Sequence, residues 1–382
     1  MSNPIATSNP LHPGETDDNS VETGLMRYHP VIGYQYNPGK TFTKPRPDGG
    51  QFELRVNSVG IRSDREYSLR KPAGVQRILV FGDSQSDGLY QSNSKRFTEL
   101  IEGRNPGLEV INFSLPGSGT DQQLLTFEEV GDEYERDVVV LFVFLMNIRR
   151  NLNWSVPSLN VETGRVIIRP KPRFVLETRE DGSEVLELRN VPIPPPGEQL
   201  KANGLEDPEL LSKPISPVVR GVREIRKMLS PVRLTKNFVY PTLRRLHLDP
   251  FPLLGRLGYD AFPEYSDPNS EEWRLMAAIL RRFAKATGDT PFVIAPLFNS
   301  SYMRFSVGRN YWDRFRSLAD GEKTFVIDLL PHFLKLGDRA IKCFFEPQDS
   351  HMSDLGHEVM ANAVEAELGE LGLISNRPAG VR

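Results

Sequence analysis

Short apolar runs alternate with polar turns along much of the chain, and their spacing predicts the elements. Arg77 leads into Ile78, Leu79, Val80 and Phe81, and the run stops at Gly82-Asp83-Ser84. A run of this length bounded by a turn predicts a buried strand. A helix is expected next: Ser94 is placed to cap it, Phe97, Leu100 and Ile101 share one face, and Gly103 can stop it. Val110 to Phe113 predicts a second strand, followed by the tight loop Leu115-Pro116-Gly117-Ser118-Gly119. Thr120 with Gln123 then suggests a capping box for another helix. Asp137 to Leu145 is almost wholly apolar and predicts a third, central strand. The rhythm returns at Ser270, an N-cap followed by Glu271 and Glu272. Trp273, Met276, Ile279, Leu280 and Phe283 fall on one helical face, with Gly288 as the stop. Phe292 to Ala295 and Phe325 to Ile327 read as strands four and five. A last helix after Ser353 should turn Leu355, Val359, Ala363 and Val364 inward.

Strands alternating with helices at this spacing predict a three-layer α/β/α domain around a five-stranded parallel sheet, with right-handed crossovers. Its two parts, 73–150 and 269–375, are separated by an insertion at 151–268. Within the insertion, residues 151–200 alternate polar and apolar positions, with Val161-Glu162-Thr163-Gly164 and Glu180-Asp181-Gly182-Ser183 as hairpin turns. Pro192 to Gly197 reads as a proline-rich linker, and 209–248 as helices between prolines. Lys213 to Leu248 holds nine Lys or Arg and one Glu, which fits a solvated helical face better than an anion-binding surface. Residues 26–72, with Tyr, Gly and Pro turns, read as a small β-rich arm. Residues 1–25, rich in Asn, Ser, Pro and Asp, read as a disordered tail.

Composition adds exclusions. A hydrophobic fraction of 38% supports a packed core, and a net charge of −3 gives no electrostatic reason to expect a nucleic-acid or membrane partner. The single cysteine, Cys343, rules out an intrachain disulfide and has no neighbour that would activate it. The first 19 residues lack the apolar stretch of a secretory signal, and the longest apolar run, Val138 to Met146, is too short to cross a bilayer. The expectation is a soluble, cytoplasmic protein, exported only if a signal has been lost from the sequence.

In open parallel sheets, ligands bind beyond the carboxyl ends of the strands. Four chemically suggestive segments fall there: Gly82-Asp83-Ser84 after strand one, Gly117 after strand two, Asn147 after strand three, and Asp349-Ser350-His351 after strand five. A serine becomes nucleophilic when a histidine takes its proton, and a carboxylate can hold the required imidazole tautomer. The Ser84 and Gly117 backbone N–H groups and the Asn147 amide could then meet the oxyanion of a tetrahedral intermediate. Each piece has an ordinary structural alternative: Gly-Asp-Ser and Gly117 as mere turns, Asn147 as a local cap, and His351 and His357 as structural residues flanking a helix start. No spacing supports a zinc site. A nucleotide-binding reading of Gly117-x-Gly119 fails, because Gln122 stands where the third glycine belongs and the loop follows the second strand.

Together the segments resemble the SGNH (GDSL-like) hydrolase family. Ile78-Leu-Val-Phe-Gly-Asp-Ser84 looks like its nucleophile block and Asn112-Phe-Ser-Leu-Pro-Gly-Ser-Gly-Thr-Asp-Gln-Gln123 like its glycine block. Phe144-Leu-Met-Asn147 is similar to its asparagine block, and Asp349-Ser-His-Met-Ser-Asp-Leu-Gly-His357 resembles its terminal block in an Asp-x-His form. Asn57-Ser-Val-Gly-Ile-Arg-Ser63 resembles a lead-in segment that precedes such domains. The resemblance spans about 77–148 and 290–370. It departs where Leu145-Met146-Asn147-Ile148 replaces the common Gly-x-Asn-Asp, and where the acid stands two residues before the histidine rather than three.

The resemblance implies a flavodoxin-like fold with Ser84 as nucleophile and oxyanion donor. Gly117 and Asn147 become the other donors, His351 the base and Asp349 its orienter; His357, inside the last helix, is the rival base. It implies an esterase working through an acyl-enzyme without cofactor or metal, with a small-molecule or glycan ester, foremost a carbohydrate O-acetyl ester, as substrate. An O-acyltransferase acting on a glycan uses the same triad and is the alternative, and a non-catalytic binding protein is the third reading.

Overall fold

The computed structural model describes residues 24–160, 165–195, 198, 262–304 and 308–374. An N-terminal arm forms two antiparallel hairpins, β1 (Met26–His29) with β2 (Gly33–Tyr36) and β3 (Thr41–Pro45) with β4 (Gln51–Arg55). The α/β layer begins with β5 (Gln76–Phe81), the single turn α1 (Ser84–Asp87), α2 (Phe97–Arg104), β6 (Leu108–Asn112), α3 (Thr120–Glu129), β7 (Val138–Phe144) and the turn α4 (Asn147–Arg150). Two more hairpins follow: β8 (Ser155–Asn160) with β9 (Arg165–Pro170), and β10 (Arg173–Thr178) with β11 (Glu184–Arg189). The layer resumes with α5 (Glu271–Ala286), β12 (Phe292–Leu297), α6 (Ser301–Arg304), α7 (Asn310–Arg316), β13 (Thr324–Val326), α8 (Leu330–Leu334) and α9 (Asp354–Glu370).

The sheet runs β13-β12-β7-β5-β6 and every pairing in it is parallel. α2 packs on α9 and α3 on α5, which gives the expected three layers. β7 lies at the centre and all seven of its residues are buried, which explains its unbroken apolar run. Phe81, Phe113, Phe127 and Phe283 interlock beside it at ring-centroid distances of 5.2–5.7 Å. The strand order reverses between β5 and β7, and a crevice at such a switch point is where this architecture binds ligands. Ser84 follows β5 and Asn147 follows β7, so the two flank it.

Local differences have local causes. The helix expected behind Ser94 starts at Phe97, because Asn93–Lys95 close a separate 3-10 turn, and it runs through Gly103 to Arg104. The capping arrangement of α3 is shifted one residue from Thr120/Gln123: Gly119 N–H donates to Gln122 Oε1 at 3.3 Å. Strand two spans Leu108–Asn112 rather than 110–113, and strand five spans Thr324–Val326 rather than 325–327. Ser270 and Ser353 cap α5 and α9 as expected, accepting from Trp273 N–H and Gly356 N–H. On α9, Ala363 and Val364 turn inward with Met360, while Leu355 and Val359 are half-buried.

The two hairpin turns expected in the insertion are flanked by paired strands, although residues 161–164 lie outside the described residues. Of the linker expected at Pro192 to Gly197, residues 192–195 are described. Ile193 is buried, its N–H donates to Pro30 O at 2.7 Å and its carbonyl accepts from the Tyr28 hydroxyl, so the chain is pinned to the arm at this residue. The helical and basic expectations for 209–248 and Lys213 to Leu248 lie outside the described residues, as does most of the tail expected to be disordered. No described helix is long and apolar enough to cross a membrane.

Candidate active site

The turn that presents Ser84 is tight. A Cβ added at Gly82 would come within 2.0 Å of Ser86 Oγ and 3.1 Å of Phe142 O, so only glycine fits between β5 and α1. Asp83 is the N-cap of α1, its Oδ1 accepting from Gln85 N–H at 3.0 Å. Ser84 is the first residue of that turn, where an N–H has no intrahelical acceptor.

His351 Nε2 stands 2.9 Å from Ser84 Oγ, and His351 Nδ1 stands 2.5 Å from Asp349 Oδ1. A carboxylate only accepts hydrogen bonds, so Nδ1 carries the proton and Nε2 presents its lone pair to the serine hydroxyl. Asp349 Oδ1 also accepts from His351 N–H at 2.8 Å. The loop bearing both residues is laced in place by Phe345 N–H to His351 O at 2.9 Å and Asp349 N–H to Phe345 O at 2.9 Å. Two amides tie it to the serine side, Gln85 Nε2 to Ser350 O at 3.3 Å and Gln91 Nε2 to Met352 O at 3.2 Å. Burial works to raise the Asp349 carboxyl, but the hydrogen bond and charge of His351, its backbone N–H and the Tyr90 hydroxyl outweigh it and hold the group below its ordinary range.

Gly117 sits in the loop after β6 with φ +83°, a conformation that favours glycine. That loop is bonded to the serine turn: Leu115 N–H and Ser118 Oγ both donate to Gly82 O, at 3.0 and 3.1 Å. Asn147 is fully buried at the start of α4. Its Oδ1 accepts from Arg150 Nη1 at 3.0 Å, and its Nδ2 lies 3.5 Å from Thr120 Oγ1. Ser84, His351 and Asp349 are thus in direct contact, while Gly117 and Asn147 reach the serine turn through neighbouring residues.

His357 occupies a different environment. It is buried on α9, stacks on Phe97 at 6.1 Å and accepts from Phe97 N–H at 3.2 Å, capping α2. Burial, then the charges of Arg62 and Arg96, push it down to about 3, so it stays neutral.

Four residues of this region carry weak or no sequence signals. Tyr90 Oη lies 3.2 Å from Asp349 Oδ2, and its ring meets His351 edge-on at 5.6 Å. Burial, then the charge of Asp349, raises its hydroxyl to about 12, so it stays a donor. Tyr90 adopts φ 73°, a strained region for a bulky residue and common at functional sites. Arg62, in the Asn57–Ser63 segment, makes a buried ion pair with Asp87 at 2.7 Å, and Tyr36 Oη donates to the other carboxylate oxygen at 2.9 Å. Asp87 is the last residue of α1, so the network anchors the turn that bears Ser84. Lys171, from the insertion, forms a buried ion pair with Asp121 at the start of α3, and its Nζ also donates to Arg150 O at 3.2 Å. Arg150 Nη1 donates to Asp83 Oδ2 at 2.6 Å and to Ser118 O at 3.2 Å. Among the described residues, no group of three or more His, Cys, Asp or Glu is gathered as a metal site.

No protein-family model matches the chain, and no curated protein does at a significant level. Some solved structures are remotely similar to it over most of its length. A member of the lipolytic protein G-D-S-L family from Veillonella parvula DSM 2008 is 9% identical, covering 76% of this chain and 97% of its own, with a TM-score of 0.38. The lipase/acylhydrolase from Enterococcus faecalis is 13% identical, covering 79% and 99%, with a TM-score of 0.39. The salicylyl-acyltransferase SsfX3 from a tetracycline biosynthetic pathway is 12% identical, covering 80% of this chain and 58% of its own, with a TM-score of 0.34. Likenesses this remote carry no step of the functional reading, which rests on the contacts around Ser84.

Proposed function

We propose that the chain is a serine-dependent carboxylic-ester hydrolase of the SGNH type. The observation that carries this reading is the unbroken line of hydrogen bonds from Ser84 Oγ through His351 to Asp349. Ser84 Oγ attacks the ester carbonyl as its proton passes to His351 Nε2. Asp349, held below its ordinary range, keeps the imidazole tautomer and balances the imidazolium. The tetrahedral oxyanion takes hydrogen bonds from the Ser84 and Gly117 N–H groups and the Asn147 amide. The C–O bond to the alcohol then breaks and His351 gives its proton to the departing oxygen. Water repeats the sequence on the acyl-enzyme: it loses a proton to His351, its oxygen bonds to the acyl carbon, and the proton returns to Ser84 as the acid leaves.

The resemblance to SGNH enzymes points to an acetylated carbohydrate as the ester. Acyl transfer to a glycan hydroxyl is the second reading. The observation favouring it is Lys171, whose buried ion pair with Asp121 ties the segment between the two inserted hairpins to the start of α3, so the insertion is placed to contribute to binding an acceptor. Labelling with a fluorophosphonate, with the modified residue located by mass spectrometry, tests the nucleophile. The adduct is expected on Ser84, and an adduct elsewhere overturns the reading. Turnover of p-nitrophenyl acetate with and without an oligosaccharide acceptor separates hydrolysis from transfer, because only transfer yields an acylated sugar.

A further inference from the structure

Arg150 lies one helical turn beyond Asn147 and meets all three loops around Ser84. One guanidinium nitrogen, Nη1, reaches Asp83 Oδ2 at 2.6 Å after β5, Ser118 O at 3.2 Å after β6 and Asn147 Oδ1 at 3.0 Å after β7. Asp83 is wholly buried and precedes the nucleophile, and Arg150 Nη1 bridges its carboxylate to the Asn147 amide, one of the proposed oxyanion donors. We infer that Arg150 is the positioning residue of the proposed oxyanion hole, fixing which way the Asn147 amide faces and neutralising Asp83.

The chemistry of the groups supports this. An amide can present either its oxygen or its NH2 to a neighbour, and packing alone scarcely distinguishes them. A guanidinium has donors only, so it can face the oxygen and not the NH2. Arg150 therefore holds Asn147 Oδ1 on its own side and turns Nδ2 away. There its one partner among the described residues, Thr120 Oγ1, lies at 3.5 Å, the outer limit of a hydrogen bond, leaving the amide able to donate to a reacting oxygen. The second effect is electrostatic. An unpaired buried carboxylate on the residue before the nucleophile would raise the barrier to an oxyanion, and the cation at 2.6 Å removes that penalty. The Arg150 Cζ also rests 5.5 Å from the Phe144 ring centre, which restrains the side chain.

The inference rests on the ester-hydrolase reading, and the experiment separates the two. With p-nitrophenyl acetate as substrate, Arg150→Met is expected to lower kcat by about 10- to 100-fold, with KM within about twofold and the melting temperature measured alongside. Arg150→Lys should recover part of kcat, since it restores the charge but not the planar fork. The decisive readout is the double-mutant cycle with Asn147→Ala. If Arg150 acts through Asn147, its replacement costs at least about threefold less in the Asn147→Ala background than in the parent. Losses that multiply in full, or an Arg150→Met kcat within about twofold of the parent, overturn the inference. Should Arg150→Met fail to fold, the same cycle with Arg150→Lys reads the coupling. An inactive Ser84→Ala beside a silent Arg150 variant removes only the role of Arg150, whereas a fully active Ser84→Ala removes the hydrolase reading itself.

Discussion

His351 and His357 lie six residues apart, yet they occupy opposite physical states. His351 sits on a loop, part-exposed, with a carboxylate on one nitrogen and a serine hydroxyl on the other. His357 is buried on α9 and stacked on Phe97, where burial, and then the charges of Arg62 and Arg96, hold it neutral. The contrast shows that environment, rather than proximity in the chain, distinguishes the proposed proton carrier from a cap. The first way to break the comparison is to remove each ring. His351→Ala should lower kcat/KM on p-nitrophenyl acetate by about 10³-fold or more, whereas His357→Asn, if folded, should stay within about threefold. A larger loss from the second would exchange the two roles.

The next changes sharpen the His351 side. Asp349→Asn keeps the shape but removes the charge that orients and balances the imidazole, and should cost about 10²–10⁴ in kcat. A loss confined to KM would contradict that role. Tyr90→Phe removes one donor from Asp349 while keeping the ring against His351, so the expected fall in kcat is about three- to tenfold, within the worth of one hydrogen bond to a charged group. Unchanged kinetics in that variant would leave Tyr90 with packing alone.

What was legible in the sequence follows the range of the interactions involved. The five strands are short apolar runs ending in turn residues, a signal carried by each residue and its neighbours, so their succession along the chain could be read directly, though not their order in the sheet. Ser84, Gly117, Asn147 and His351 were legible because each ends or follows a strand within a recognisable local pattern. Tyr90 and Lys171 were not, because each is defined by a partner far along the chain: Tyr90 meets Asp349 and Lys171 meets Asp121. Arg62 stood in a legible segment, but its pairing with Asp87 needs the arm folded back against α1. Arg150 had a faint local signal in its spacing of three from Asn147, but that spacing fits any helical turn. In the same way, the proline density of Pro192–Gly197 suggests a spacer but gives no sign that Ile193 is fixed by hydrogen bonds to Pro30 and Tyr28, far back along the chain.

The smallest expected effect concerns folding rather than turnover, and isolates the His357 side of the comparison. In the folded chain His357 titrates at about 3, against an ordinary value near 6.5 in the unfolded chain. Between those limits the unfolded state binds one proton that the folded state refuses, so stability falls as the pH falls. The slope from this residue approaches about 1.4 kcal/mol per pH unit once the pH is well below 6.5. Asparagine can still accept from Phe97 N–H but takes up no proton. His357→Asn should therefore be less stable at pH 7.5, where the ring's packing on Phe97 is lost without compensation, and that deficit should shrink steadily between pH 6 and pH 4.5. Denaturant unfolding of both proteins across that range measures it. The carboxylates, common to the two chains, cancel in the difference. A deficit constant with pH would mean that the buried imidazole takes up its proton as readily in the fold as in the unfolded chain, and the distinction between the two histidines would rest on position alone.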